Sequence, residues 1–202
     1  MKREVLDGYE SAAPELIERF EAVSSAKLYA EVAHLLPPSG SYVLDVGAGT
    51  GRDARWLASR GCRVLAVEPV EAFRKAGAVF HPSAQIEWLD DSLPTLSRVL
   101  QRRQTFDFVL LSGVWQHIDS LQRRLAMPSL RALTAAGGTL LFSVRHGRGA
   151  PTRPCFPAST DDAITLAEQA AFRLVFRCST ESVQLVNRQA GVTWTWLAFS
   201  AV

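Results

Sequence analysis

Cysteine, lysine and long apolar runs are scarce in this chain of 202 residues. The three cysteines, Cys62, Cys155 and Cys178, are odd in number and far apart. No CxxC or Cys/His ligand spacing accompanies them, which argues against a disulfide scaffold and against a bound metal. Cys62 and Cys178 lie in apolar runs and are read as buried thiols. No stretch approaches the roughly 18 apolar residues of a membrane span. The first twenty residues carry charges throughout and lack the apolar core of a signal peptide. The expectation is a reduced, soluble, cytoplasmic protein. Excess charge is absent too, with 22 basic side chains against 20 acidic ones, so no nucleic-acid-binding face is announced. Lysine occurs only at positions 2, 27 and 75, which leaves nineteen arginines, the residue suited to bidentate recognition of anions. With 48% hydrophobic and 21% charged residues, a chain of this length encloses a core as one domain.

The periodicity alternates between strand and helix. After Pro14, residues Leu16, Ile17, Phe20 and Val23 fall at helical spacing, and Ser24 or Ser25 caps a second helix carrying Leu28, Val32, Leu35 and Leu36. Buried strands are expected at 42–46, 63–68, 85–89, 106–111 and 139–144. Helices are expected after the glycine loop at 47–51 and over about 70–78, 93–101, 120–134 (interrupted near Pro128) and 161–171. Residues 172–178 and 192–200 form two closing strands with no room for a helix between them, hence an antiparallel hairpin. Alternating strands and helices specify an α/β fold. The expected form is a doubly wound, mostly parallel seven-stranded sheet with helices on both faces and a C-terminal antiparallel hairpin. Such sheets bind ligands at the carboxyl ends of their strands. Residues 1–38 form an N-terminal helical cap. The proline- and glycine-containing segment 145–159 is a candidate substrate lid.

The first strand runs into Asp45-Val46-Gly47-Ala48-Gly49-Thr50-Gly51-Arg52. Glycines at alternate positions let the backbone turn tightly and let a ligand approach. The next helix points its N–H groups at that ligand. A dinucleotide fingerprint, G-x-G-x-x-G, would need glycine at position 52, where Arg52 stands, so a nicotinamide or flavin is disfavoured. The second strand ends in Glu68-Pro69, an acidic position suited to two ribose hydroxyls.

The pattern Asp45-x-Gly47-x-Gly49-x-Gly51 resembles the first motif of the class I S-adenosylmethionine-dependent methyltransferases. Four further segments resemble that family in order: Val67-Glu68-Pro69; Glu87 to Pro94; Phe106 to Trp115; and Leu130 to Leu141. The resemblance covers about residues 40–145, and the closing hairpin fits as well. It implies S-adenosylmethionine as methyl donor, leaving as S-adenosylhomocysteine. It also implies roles for particular residues. Asp45 holds the methionine ammonium, directly or through backbone and water. Gly47, Ala48, Gly49 and Thr50 form the cofactor loop, and Glu68 with Pro69 takes the ribose. Asp90, Asp91 and Ser92 meet the adenine, with the choice between the two aspartates open. Arg52 is placed near the methionine carboxylate. Asp53, beside it, also suits a helix first turn through the helix dipole. Tyr9 in the N-terminal segment is a candidate for the methionine end, and Ser112 and Trp115 border the methyl group; Trp115 is equally a core aromatic.

The catalytic candidates are His117, whose ordinary pKa lies near neutrality, and Arg145 and His146 at the end of the fifth strand. Either of the last two takes a proton or binds an anionic substrate. Trp194 and Trp196 alternate as in a strand and are read as core. The doublets Arg102-Arg103 and Arg123-Arg124 are read as solvated faces, and His34 and His81 as surface residues. Ser112-Gly113-Val114-Trp115 lacks the Pro-Pro-aromatic pattern of nucleic-acid amino-methyltransferases and the Pro-Cys pair of cytosine enzymes. The leading expectation is therefore methylation of an O, N or S nucleophile on a small molecule, by a monomer or homodimer. Methylation of a protein or RNA, and a non-catalytic cofactor-binding sensor, stand as alternatives.

Overall fold

The computed structural model describes residues 1–202. Its centre is one seven-stranded sheet in the order β3-β2-β1-β4-β5-β7-β6. In chain order the strands are β1 (Tyr42–Val46), β2 (Arg63–Val67), β3 (Ile86–Leu89), β4 (Phe106–Leu111), β5 (Thr134–His146), β6 (Phe172–Glu181) and β7 (Thr193–Ala201). Strands β1 to β5 pair in parallel, and β7 runs antiparallel between β5 and β6. The chain reverses direction across the sheet between β1 and β4, so a crevice opens at the carboxyl ends of those strands.

Period-two alternation divides the core between the two faces of the sheet. Leu44, Val46, Leu65, Val67, Val109, Leu111, Leu140 and Phe142 point to one face, beneath α6 (Ser97–Gln101), α7 (Ser120–Leu133) and α8 (Thr160–Gln169). Val43, Val64, Ala66, Phe108, Leu110, Leu141 and Trp196 point to the other, beneath α4 (Arg52–Ser59) and the Tyr29–Val32 segment. Trp196 is thus a core residue, as its spacing predicts, whereas Trp194, read the same way, is only half-buried. Further apolar contacts tie α2 (Ala13–Glu21) to α5 (Glu71–Phe80) through Leu16, Val70 and Phe73. The first helix, α1 (Arg3–Ser11), crosses the 147–159 loop, and a Cβ on Gly8 would collide with the Thr152 carbonyl. Nothing in the local sequence marks that close approach.

Several elements differ from expectation. The segment after Ser24 is a short α3 (Ser25–Leu28) followed by a 3-10 stretch at Ala30–Leu35, not one α-helix. Ser24 is its cap, accepting from the Lys27 N–H at 3.3 Å. The sixth helix starts only at Ser97, because Asp91 and the turn at 92–96 take up the preceding residues. Helix α7 passes through Pro128 without ending. Pro128 and Arg124, whose carbonyl it cannot bond, both lie on the exposed side of the helix. Strand β5 begins directly at Thr134, paired with Phe106 ahead of an irregularity, so Ala135 to Gly138 belong to the strand. A short α9 (Leu185–Gln189) does fit between β6 and β7. Of the thiols, Cys62 is buried and Cys178 only half-buried.

Arg123 is the clearest departure from the solvated-face reading. It is buried. It donates to the carbonyls of Phe156 and Pro157 at 2.7 Å each and to Trp115 at 3.4 Å. A helix-surface position has become the tie between α7 and the 147–159 loop. Arg124, its neighbour, is exposed. Arg123→Ala strands those carbonyls and should cost about 2–3 kcal/mol. Arg124→Ala should stay within about 0.5 kcal/mol. Urea midpoints of the two variants test the contrast; equal midpoints would show that Arg123 is no tie.

Candidate functional site

A cavity of about 890 Å³ lies where the carboxyl ends of β1, β2, β4 and β5 meet the N-terminal helices. The loop after β1 contributes Gly47, Ala48, Gly49 and Thr50, and the start of α4 contributes Arg52 and Asp53. The loop after β2 contributes Glu68, Pro69 and Val70, with Phe73 from α5. Ser112, Gly113, Gln116 and His117 come from the turn after β4, and Ser143 and Arg145 from β5. Tyr9, Leu16 and Phe20 close it from the N-terminal helices. Arg148, Arg153 and Cys155 come from the 147–159 loop, and Ser182 to Gln184 from the end of the β6 region.

The glycine loop is held from both sides. Gly47 and Ala48 N–H groups donate to the Val67 carbonyl at 2.7 and 3.0 Å. Glu68 is buried, and its two oxygens accept from the N–H groups of Gly49 and Val70, each at 2.9 Å. Burial pushes its carboxyl up to about 7, against the lowering effect of those two bonds and of Arg74. Thr50 donates through its hydroxyl to Glu21 of α2, which also pairs with His81 Nε2 at 3.0 Å. His81 is therefore largely enclosed rather than a surface residue.

Asp53 anchors the start of α4. Its oxygens accept from Ser25 at 2.7 Å, Tyr29 at 2.8 Å and the Arg52 fork at 2.9 and 2.6 Å. Burial alone would raise its carboxyl, but the Arg52 charge and these bonds outweigh it and hold the group below the usual range. Arg52 also donates to the Phe20 carbonyl at 3.1 Å, clasping α2 over the loop. Asp45 sits on the same sheet face, buried, with Oδ2 lacking any partner. Burial, then the nearby Asp53 charge, raises its carboxyl well above the ordinary value.

Across the cavity, Tyr9 and His117 form a pair. The Tyr9 hydroxyl lies 2.7 Å from His117 Nε2, and His117 Nδ1 lies 3.0 Å from the Pro154 carbonyl. A carbonyl only accepts, so Nδ1 carries the hydrogen and Nε2 accepts from the tyrosine. Burial, with the Arg145 and Arg153 charges, pushes the imidazole down to about 4 despite the Pro154 bond. It is thus neutral at neutral pH. Burial also drives the Tyr9 phenol above its ordinary pKa.

A profile of the methyltransferase domain matches residues 17–199. The chain belongs to the class I S-adenosylmethionine-dependent methyltransferases. No curated protein matches it. Among solved structures it is similar to a Burkholderia thailandensis 1,6-didemethyltoxoflavin-N1-methyltransferase, bound to its acceptor and S-adenosylhomocysteine, at 20% identity and a TM-score of 0.73. That match covers 98% of this chain and 88% of the other. It is also similar to a TehB-like methyltransferase from Corynebacterium glutamicum (18% identity, TM-score 0.70, covering 97% and 98%). NodS, an N-methyltransferase of Bradyrhizobium japonicum, in complex with S-adenosylhomocysteine, matches at 19% identity and a TM-score of 0.62, covering 81% and 79%. These likenesses are of fold. No helix of this methyltransferase is long and apolar enough to cross a membrane.

The cavity does not gather every residue named from the sequence. Asp91 is spent on the backbone N–H groups of Ser92, Arg98 and Val99 at 2.7–3.0 Å, and Asp90 is exposed between Arg74 and Arg98. Neither aspartate nor Ser92 lines the cavity, and Asp45, buried near the end of β1, is not among its lining residues either. The apolar wall near the β2 end is instead Val70 and Phe73, with Phe20 tilted against Phe73. Trp115 is fully buried against Phe142, so the core alternative holds. His146 points away from the cavity, because neighbouring residues in a strand face opposite ways; its Nε2 meets the Thr195 hydroxyl at 2.9 Å. Residues that the sequence did not single out as cavity-lining include Arg153, Gln116 and Phe73, which carry no motif of their own.

Proposed function

We propose that this methyltransferase transfers a methyl group to an O, N or S nucleophile of a small molecule. The single observation carrying that reading is the cavity. Its volume of about 890 Å³ falls in the range of small-molecule sites, and the N-terminal helices and the 147–159 loop roof it. The Burkholderia relative with a bound small-molecule acceptor is in keeping with this.

The residues present suit S-adenosylmethionine. Gly47 and Gly49 adopt φ of 74° and 57° and leave the floor of the loop free of side chains. The partnerless oxygen of Asp45, buried behind the cavity lining, calls for a bridging water, through which it serves a ligand ammonium. Glu68 retains free lone pairs on both oxygens after its two backbone bonds, enough for two ribose hydroxyls. Bound there, S-adenosylmethionine supplies a methyl group activated by its sulfonium. The chain's own work is to align the acceptor, exclude water and take up a proton where the nucleophile carries one. Phe20, Phe73 and the roof exclude water. His117 Nε2 is the proton acceptor, reached through the Tyr9 hydroxyl: Tyr9 receives the acceptor's proton as it passes its own to Nε2. Arg145, named at first as a possible acid or base, binds rather than transfers protons, since a guanidinium does not deprotonate.

Labelled S-adenosylmethionine incubated with size-fractionated cell extract tests the reading. Label should enter the low-molecular-weight fraction, and His117→Asn should lower kcat by about 10²–10⁴-fold with S-adenosylmethionine affinity retained. Label confined to protein or RNA would overturn it.

A further inference from the structure

We propose that the methyl acceptor carries an oxyanion, a carboxylate or a phosphate, that seats between Arg145 and Arg153. The inference deepens the small-molecule reading and rests on it. Both side chains line the cavity beside the Tyr9–His117 pair. Neither pairs with a carboxylate, although ten ion pairs are made elsewhere in the chain.

Arg145 is the better built of the two. It emerges from β5 opposite Trp194, and its guanidinium lies over that ring, 5.4 Å from the centroid. That contact places the guanidinium against the ring. Of its five N–H donors only one set has a partner: Nη2 donates to the Arg148 carbonyl at 2.7 Å. Nε is buried and has none. A buried charged donor left without an acceptor is costly, so a site of this kind is completed by a ligand that supplies one. The fork matches two oxygens of a carboxylate or phosphate. Arg153 lies over the Tyr9 ring at 5.5 Å from its centroid, on the side of the cavity where the phenol meets His117.

Other charges around the cavity do not supply the missing anion. Asp53 is taken by Arg52, Ser25 and Tyr29, and Glu68 by the loop N–H groups. Glu31 and Glu181, which also line the cavity, are exposed and pair with neither arginine. The arrangement also links binding to chemistry. Part of what holds the His117 ring in its neutral form is the positive charge of Arg145 and Arg153. An oxyanion between them offsets that charge and makes Nε2 a better proton acceptor once the acceptor is seated.

The test starts from the low-molecular-weight extract used for the small-molecule reading, now divided on an anion-exchange resin before labelled S-adenosylmethionine and the enzyme are added. The labelled product should arise from the retained fraction. Treatment of that fraction with alkaline phosphatase, or amidation of its carboxylates with methylamine and a carbodiimide, should remove the acceptor; which treatment does so tells phosphate from carboxylate. Arg145→Gln should raise KM for that acceptor at least 30-fold and Arg153→Gln about 5–10-fold. Calorimetry should find S-adenosylmethionine bound as in the parent, which shows that the variants are folded. Label arising from the unretained fraction, or KM unchanged in both variants, overturns the oxyanion site while the small-molecule reading stands. Label only in macromolecules overturns the reading beneath it.

Discussion

Glu68→Ala should weaken S-adenosylmethionine binding by about 100-fold or more, measured by calorimetric titration. A hydrogen bond to a charged group is worth roughly 1.5–3 kcal/mol, and the proposed ribose contact contains two. The side chain is also what holds the loop, since Gly49 and Val70 donate to its separate oxygens at 2.9 Å. Removal therefore takes away both the ligand contact and the brace. Unchanged affinity would remove Glu68 from the ribose role altogether. The pH dependence gives an independent check. Burial holds the Glu68 carboxyl up to about 7. Below that pH the free protein carries it protonated, and a protonated carboxyl has lost acceptor capacity. S-adenosylmethionine affinity should thus fall as pH drops from 8 to 6, approaching tenfold per unit below the folded-state pKa. Folding follows the opposite sign. A carboxyl raised from 4.5 in the unfolded chain contributes stability at low pH that is lost as pH rises through about 7. The ligand-induced rise in Tm should accordingly be larger at pH 8 than at pH 6. In Glu68→Gln, where nothing titrates, this difference should shrink.

That carboxylate was legible from the sequence because its placement is local. A buried apolar run fixes β2, a proline closes it, and an acidic residue between them must stand at the strand's carboxyl end. The glycine loop is legible for the same reason, and both the sheet and its closing hairpin follow from periodicity. What was not legible turns on the direction of side chains and on distant partners. Asp90 and Asp91 follow a strand just as Glu68 does. Yet Asp91 turns to the N–H groups that open α6, and Asp90 turns to two arginines. Sequence places a carboxylate at a strand end without saying which unsatisfied donors compete for it. His146 and Arg145 are neighbours on one strand, and only the phase of β5, set by its pairing with β7, decides that Arg145 faces the cavity. Arg123 looked like one more helix-surface arginine because its partners, Phe156 and Pro157, lie more than thirty positions away. The N-terminal helices reach the site through Tyr9 and Phe20 by contacts to partners 108 and 32 positions away, and no local pattern encodes those.

Gly47→Ala should be among the most damaging substitutions at the loop, for two separable reasons. Gly47 has φ of 74°, where a non-glycine residue costs roughly 1–2 kcal/mol. An added Cβ would stand 2.5 Å from Val114 Cγ2. Val114 is itself buried, in the turn that leads to His117, so it has little room to retreat. Overpacking of that sort typically costs about 1–3 kcal/mol. The sum, about 2–5 kcal/mol, is a large share of the stability of an ordinary domain. If the loop yields instead, its floor shifts where the cofactor is proposed to lie. A double-mutant cycle separates the two contributions. Val114→Ala alone opens a small void and destabilises modestly. In the background of Gly47→Ala it removes the clashing methyl, so the pair should be more stable than the sum of the single changes predicts, by about 1–2 kcal/mol. The backbone strain at position 47 persists in the double variant, which should remain less stable than Val114→Ala. Urea midpoints of the four proteins measure the coupling. Additivity within about 0.5 kcal/mol would mean that contact with Val114 is not what demands glycine, leaving backbone conformation as the whole requirement.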